Sequence, residues 1–282
     1  MSRASTRILR IAVVLGVLLL LLGSGSLMIG SVVRSMVYPT PGVPVPSPPP
    51  DPLEEVVLED DGRTVHAWWS PAPGEPTACL LLFHGNGENL ETMRMSGVFQ
   101  EYRRLEISVL VPDYPGYGRS EGPAREDKIL SAASVAWAEL LQRAGSSCPR
   151  ILGGWSLGAA VAIQTAARDP AEVDGLILMS SWNRLAEVAK RHFPGWMVGS
   201  LLPERYDSLE AAERWSGPSL VIHGERDRIV PMELGRELFE TLPEPKRWLA
   251  VPGAGHNDLL GREAVWEAQR GFLSGVSRRS GS

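Results

Sequence analysis

The 282-residue sequence predicts an α/β domain: a mostly parallel central sheet with helices on both faces, an antiparallel hairpin at its start and a small helical cap. Three observations carry that expectation. Short apolar runs alternate with helix-length segments, as a parallel sheet with crossover helices requires. Two strand-like runs, 53–59 and 64–69, flank the turn-rich Asp60-Asp61-Gly62-Arg63 and read as a hairpin. A Gly154-Trp155-Ser156-Leu157-Gly158 turn sits between an apolar run and the helix-forming Ala159-Ala160-Val161-Ala162-Ile163.

After the hairpin, strands are expected at 79–83, 107–111, 151–154, 175–179, 219–223 and 247–251. Helices are expected at 90–104, 127–143, 157–168, 232–241 and 263–273. The interval 181–217 breaks this rhythm, mixing Trp182, Phe193, Trp196, Met197, Leu201 and Leu202 with turn residues. It reads as the cap, and those side chains as candidate walls of an apolar pocket. The domain is assigned to 53–274 and a flexible tail to 275–282.

Upstream, Arg3, Arg7 and Arg10 form a basic start, 1–10, and no charge occurs from 11 to 33. As a helix that run extends about 35 Å, enough to cross a bilayer, and the positive-inside bias leaves the domain on the non-cytoplasmic side. A cleaved signal peptide is the rival, with 11–22 as its core and Gly23-Ser24-Gly25-Ser26 as small residues for cleavage. Continuation of the apolar run through Leu27-Met28-Ile29 and Val32-Val33 favours a single-pass membrane anchor; the rival gives a secreted or periplasmic domain. The proline-rich 34–52 is expected to be an extended linker. A net charge of −5 supplies no basic footprint and argues against a nucleic-acid partner.

A serine on a strand-to-helix turn between glycines has its hydroxyl exposed, which makes Ser156 the candidate nucleophile. A hydroxyl needs an imidazole to take its proton, and the imidazole needs a carboxylate. Asp227 follows the strand 219–223 and His256 follows the strand 247–251, in the chain order Ser, Asp, His. Glu225 and Asp258 compete for the acid's role; position after the strand favours Asp227. The backbone amides of Leu157 and of Asn86, in the glycine-flanked loop His84-Gly85-Asn86-Gly87, are the candidate oxyanion donors.

Taken together, His84-Gly85-Asn86-Gly87, Asp113 through Ser120, the Gly154–Gly158 elbow, His223-Gly224-Glu225-Arg226-Asp227 and Gly255-His256 resemble the alpha/beta-hydrolase superfamily. They are similar in particular to its membrane-anchored esterases, lysophospholipases and thioesterases, and also to serine aminopeptidase-like hydrolases. The resemblance implies cleavage of an acyl ester or thioester through an acyl-enzyme, with no cofactor and no metal; within the 113–120 loop Pro115-Gly116 and Gly118 chiefly dictate a turn, so Asp113 is given no catalytic role. A peptidase or amidase is the alternative, for which Glu187 and Glu204 lie in the interval where an amino-terminal clamp is expected. A catalytically silent binding protein is the other. In this fold the strands holding Cys79 and leading from Cys148 are neighbours, so a disulfide stands as a hypothesis beside two independent buried thiols. Oligomeric state is left open.

Overall fold

The computed structural model describes residues 37–146 and 148–276. Among the described residues, those from Thr40 onward form the compact unit that carries the sheet. The basic start 1–10, the apolar run 11–33 and most of the tail lie outside the described residues. Among the described residues no helix is long and apolar enough to cross a membrane.

Strands β1 (Glu54–Asp60) and β2 (Arg63–Ser70) form the expected hairpin, Asp60 facing Arg63 across the turn. Asp61 (φ 52°) and Gly62 (φ 71°) both take the left-handed region, the geometry of a two-residue turn that matches strand twist. The remaining strands are β3 (Ala78–Phe83), β4 (Ile107–Pro112), β5 (Arg150–Trp155), β6 (Gly175–Met179), β7 (Ser219–Gly224) and β8 (Lys246–Val251). They join in the order β1-β2-β4-β3-β5-β6-β7-β8, parallel from β4 to β8, with β2 antiparallel to β4. β3, β4, β6 and β7 are buried throughout their length, because helices cover both faces.

The helix expected over 90–104 is two helices, α1 (Leu90–Met95) and α2 (Val98–Arg104). Gly97 at φ 81° breaks the run, and the Ser96 amide closes the end of α1 on the carbonyls of Arg94 and Thr92. Next come α3 (Glu126–Ala144) and α4 (Leu157–Arg168). The interval 181–217 is helical, with α5 (Leu185–His192), α6 (Gly195–Leu201) and α7 (Ser208–Arg214); α8 (Met232–Thr241) and α9 (Glu263–Leu273) complete the layers. One continuous core joins Leu80, Leu82, Val109, Ile151, Ile177 and Ile222 of the sheet to Phe99 and Tyr102 of α2 and to Val265 and Phe272 of α9.

Part of the proline-rich stretch belongs to the same compact unit. Residues 40–52 run without helix or strand, yet Asn89 Nδ2 donates to the Val43 carbonyl at 2.7 Å and Val45 packs against the core. The two cysteines are buried thiols at the same end of the sheet.

Candidate active site

The centre of the site is a strained residue. Ser156 joins β5 to α4 with φ 56° and ψ −114°, a region that an L side chain adopts only when its surroundings impose it. The glycines make the turn passable: a Cβ on Gly154 would meet the Gly158 carbonyl oxygen at 2.0 Å, and one on Gly158 would meet the Phe83 carbonyl oxygen at 2.0 Å. The turn is thus pressed against the end of β3, where the 84–89 loop begins.

His256 and Asp227 reach Ser156 from the ends of the last two strands. The Ser156 hydroxyl donates to His256 Nε2 at 3.0 Å, and His256 Nδ1 donates to Asp227 Oδ2 at 2.7 Å. The other Asp227 oxygen, Oδ1, accepts the amides of Ile229 (3.0 Å) and Val230 (2.8 Å), which fixes the carboxylate's orientation. Burial pushes the Asp227 carboxyl up, but His256 and the Val230 amide outweigh it and leave it below the ordinary carboxylate range. All three side chains are buried, and the Trp155 ring lies 5.3 Å from that of His256.

The competing acids stand elsewhere. Asp258 Oδ1 accepts the Gly255 amide at 2.6 Å and its other oxygen pairs with Arg262, so it braces the His256 loop from the exposed side. Glu225 is exposed. Of the two glutamates considered for an amino-terminal clamp, Glu187 pairs with Lys190 at 2.7 Å and Glu204 is buried.

Leu157 opens α4, so its amide is among the unpaired donors of the helix's first turn. Asn86 is exposed at the tip of the neighbouring loop, where Tyr117 donates to its Oδ1 at 2.6 Å. The loop is braced from below. Glu88 Oε2 accepts the Gly85 amide at 2.7 Å, Tyr114 donates to the His84 carbonyl at 2.7 Å, and Asp113 Oδ1 accepts the Leu90 amide at 3.0 Å. Asp113 therefore ties the 113–120 turn to the start of α1, a structural role. Burial pushes the Asp113 and Glu88 carboxyls up to about 7 and the His84 imidazole down to about 4.

The cap residues divide. Trp182 is buried, Phe193 is 38% exposed and Trp196 is 73% exposed; the side chain of Leu201 lies outside the described residues. His192, at the end of α5, donates Nε2–H to the Ile229 carbonyl at 2.8 Å and so links the cap to the Asp227 loop. His223, Glu88 and Trp155 carry no role in the sequence reading: Glu88 accepts from Gly85 three residues before it, His223 meets Asp227 and Val230 in the loop that follows β7, and only Trp155 finds its neighbour, His256, in a distant segment.

A family model described as the alpha/beta hydrolase fold matches residues 79–204. The uncharacterized protein Rv2307c of Mycobacterium tuberculosis is 36% identical over 262 residues, covering 90% of this chain and 92% of that protein. The alpha/beta hydrolase domain-containing protein aho-3 of Caenorhabditis elegans is 32% identical over 195 residues, 69% of this chain and 57% of its own. Among solved structures, the Pyrococcus furiosus esterase Pf2001 superposes with a TM-score of 0.68 at 19% identity, covering 83% of this chain and 98% of that one. Est1E of Butyrivibrio proteoclasticus, solved with ferulic acid bound, gives 0.65 at 19% identity, covering 78% and 98%. At that identity both likenesses speak for the fold. With an eight-stranded sheet, a strained serine turn and these relatives, the chain belongs to the alpha/beta hydrolase superfamily.

Proposed function

We propose that this protein is a serine hydrolase that cleaves a carboxylic ester or thioester through an acyl-enzyme on Ser156. The observation that carries the reading is the unbroken chain of hydrogen bonds from the Ser156 hydroxyl through His256 to Asp227. As the Ser156 oxygen attacks the acyl carbon, His256 Nε2 takes its proton and Asp227 stabilises the imidazolium. The tetrahedral oxyanion is held by the amides of Leu157 and Asn86, each worth about 3 kcal/mol to the transition state. His256 then returns the proton to the leaving alcohol or thiol, and water, deprotonated by the same imidazole, releases the acid.

The cap's apolar side chains favour an acyl chain as the substrate's larger part. Export and tethering belong to the same reading: Arg3, Arg7 and Arg10 followed by an uncharged 11–33 support a single-pass anchor that holds the domain near lipid on the non-cytoplasmic side.

The test compares initial rates on p-nitrophenyl esters and acyl thioesters of increasing length, for the wild type and Ser156→Ala, alongside labelling with a fluorophosphonate. A rate that varies with acyl length and disappears with Ser156 supports the proposal. Failure of the phosphonate to label Ser156 would sink it.

A further inference from the structure

We propose that Cys79 and Cys148 form an intramolecular disulfide that staples the start of β3 to the approach to β5. The cross-link does not depend on the hydrolase reading. The two sulfurs lie 2.7 Å apart as thiols, leaving roughly 0.65 Å to the covalent distance of about 2.05 Å. The backbone holds them there. β3 and β5 are parallel neighbours in which Cys79 faces Arg150, and the Cys79 amide donates to the Pro149 carbonyl at 2.8 Å. Closing the bond needs only a small shift of side chains already packed, at 2% and 8% exposure.

The chain has two cysteines, so the pair has no rival partner within the molecule. The roles are unequal. The Cys79 hydrogen bond holds the Cys148 thiol below its ordinary range, against burial and the nearby Asp174, whereas the same bond together with burial pushes Cys79 up. Cys148, the more exposed, is the first to react. Its thiolate attacks one sulfur of a disulfide-bearing oxidant and expels a thiolate. The Cys79 sulfur, on losing its proton, then attacks the Cys148 sulfur of the mixed disulfide and expels the second. Two thiols are oxidised by two electrons and the oxidant leaves as two thiols.

The bond would close a loop between positions 69 apart that contains the 84–89 loop, β4 and α3, but neither Asp227 nor His256. Its expected effect is on stability rather than chemistry. The test takes the full chain, purified reduced in detergent, and equilibrates it in glutathione buffer poised at about −200 mV. Acid quench, denaturation in guanidinium and a maleimide follow, with intact mass as the readout. The expected product carries no maleimide and is lighter by two hydrogens, and adding reductant lowers its Tm by about 10 °C. A Cys79→Ala/Cys148→Ala variant should lose that redox dependence; if it does not fold, the wild-type mass decides alone. Two maleimides per chain, or glutathione remaining on Cys148, overturns the disulfide. A bond whose reduction leaves Tm unchanged overturns the staple.

Discussion

His223 shares the carboxylate of Asp227: its Nε2 lies 3.5 Å from the same Oδ2 that accepts His256 Nδ1. Its proton goes elsewhere. His223 Nε2 donates to the Val230 carbonyl at 3.0 Å, while the Val230 amide donates to Asp227 Oδ1 at 2.8 Å, so the buried imidazole fixes the loop that aims the acid. Burial pushes its pKa down, which keeps it a neutral strut. Behind it lies Gly235 of α8, where a Cβ would meet His223 Nδ1 at 2.5 Å and the Ser181 carbonyl oxygen at 2.9 Å. In an exposed helix Gly→Ala is stabilising by about 1 kcal/mol. Here Gly235→Ala should instead destabilise by about 1–3 kcal/mol and reduce turnover, read by urea melts and ester hydrolysis.

Asp227→Asn should lower kcat by on the order of ten-thousandfold, because an amide cannot hold His256 in the tautomer that accepts from Ser156. Asp258→Asn should cost far less, since Asp258 braces Gly255 and Arg262 at the surface. Measured side by side, the reverse ranking would move the acid's role to Asp258.

Gly158→Ala should prevent folding of the elbow rather than slow the chemistry. The added Cβ would stand 2.0 Å from the Phe83 carbonyl oxygen, a backbone atom of a buried strand that cannot step aside. We expect little soluble protein, with circular dichroism showing disrupted tertiary structure in any that is recovered.

These glycines explain why the centre of the site was legible in the sequence. A tight turn against a neighbouring strand leaves no choice of residue at 154 and 158, so spacing alone exposes it. The alternation of strands and helices was legible for a similar reason, the burial of β3 to β7 on both faces. Position after the strand favours Asp227 over Glu225 and Asp258, but their burial and partners were not legible: two backbone amides and an imidazole for Asp227, Arg262 for Asp258, an exposed place for Glu225. Nor was the break at Gly97, or the hydrogen bond to the Val43 carbonyl and the packing of Val45, where proline content signalled only an extended chain.

Trp196→Ala should leave Tm unchanged, because the ring is 73% exposed and packs little when no substrate is bound. If the cap receives an acyl chain, the substitution should raise KM for long-chain esters several-fold and spare short ones, at about 25 cal/mol for each Å2 of acyl surface that the ring no longer covers. Equal effects at all chain lengths would place Trp196 outside the acyl path.

Glu88 offers a test through pH. Its carboxyl is partly buried behind Gly85 and is pushed up to about 7 by that burial, against the pull of the Gly85 amide. Because the folded value lies above the unfolded value of 4.5, the folded state binds the proton more tightly. The stability that this proton contributes is complete below pH about 4.5 and is lost as pH rises through about 7. His84, pushed down to about 4, works oppositely: its contribution is lost as pH falls below about 6.5. Glu88→Gln keeps an oxygen for the Gly85 amide and removes the ionisation. Relative to wild type, the variant should therefore gain stability from pH 5 up to about pH 7 and level off by pH 8, by about 1–2 kcal/mol at the plateau once residual contact with water is allowed for. Thermal melts of both proteins across that range read the difference directly. Parallel curves would mean that Glu88 is ionised throughout, and that the Gly85 amide and water offset the cost of burying its charge.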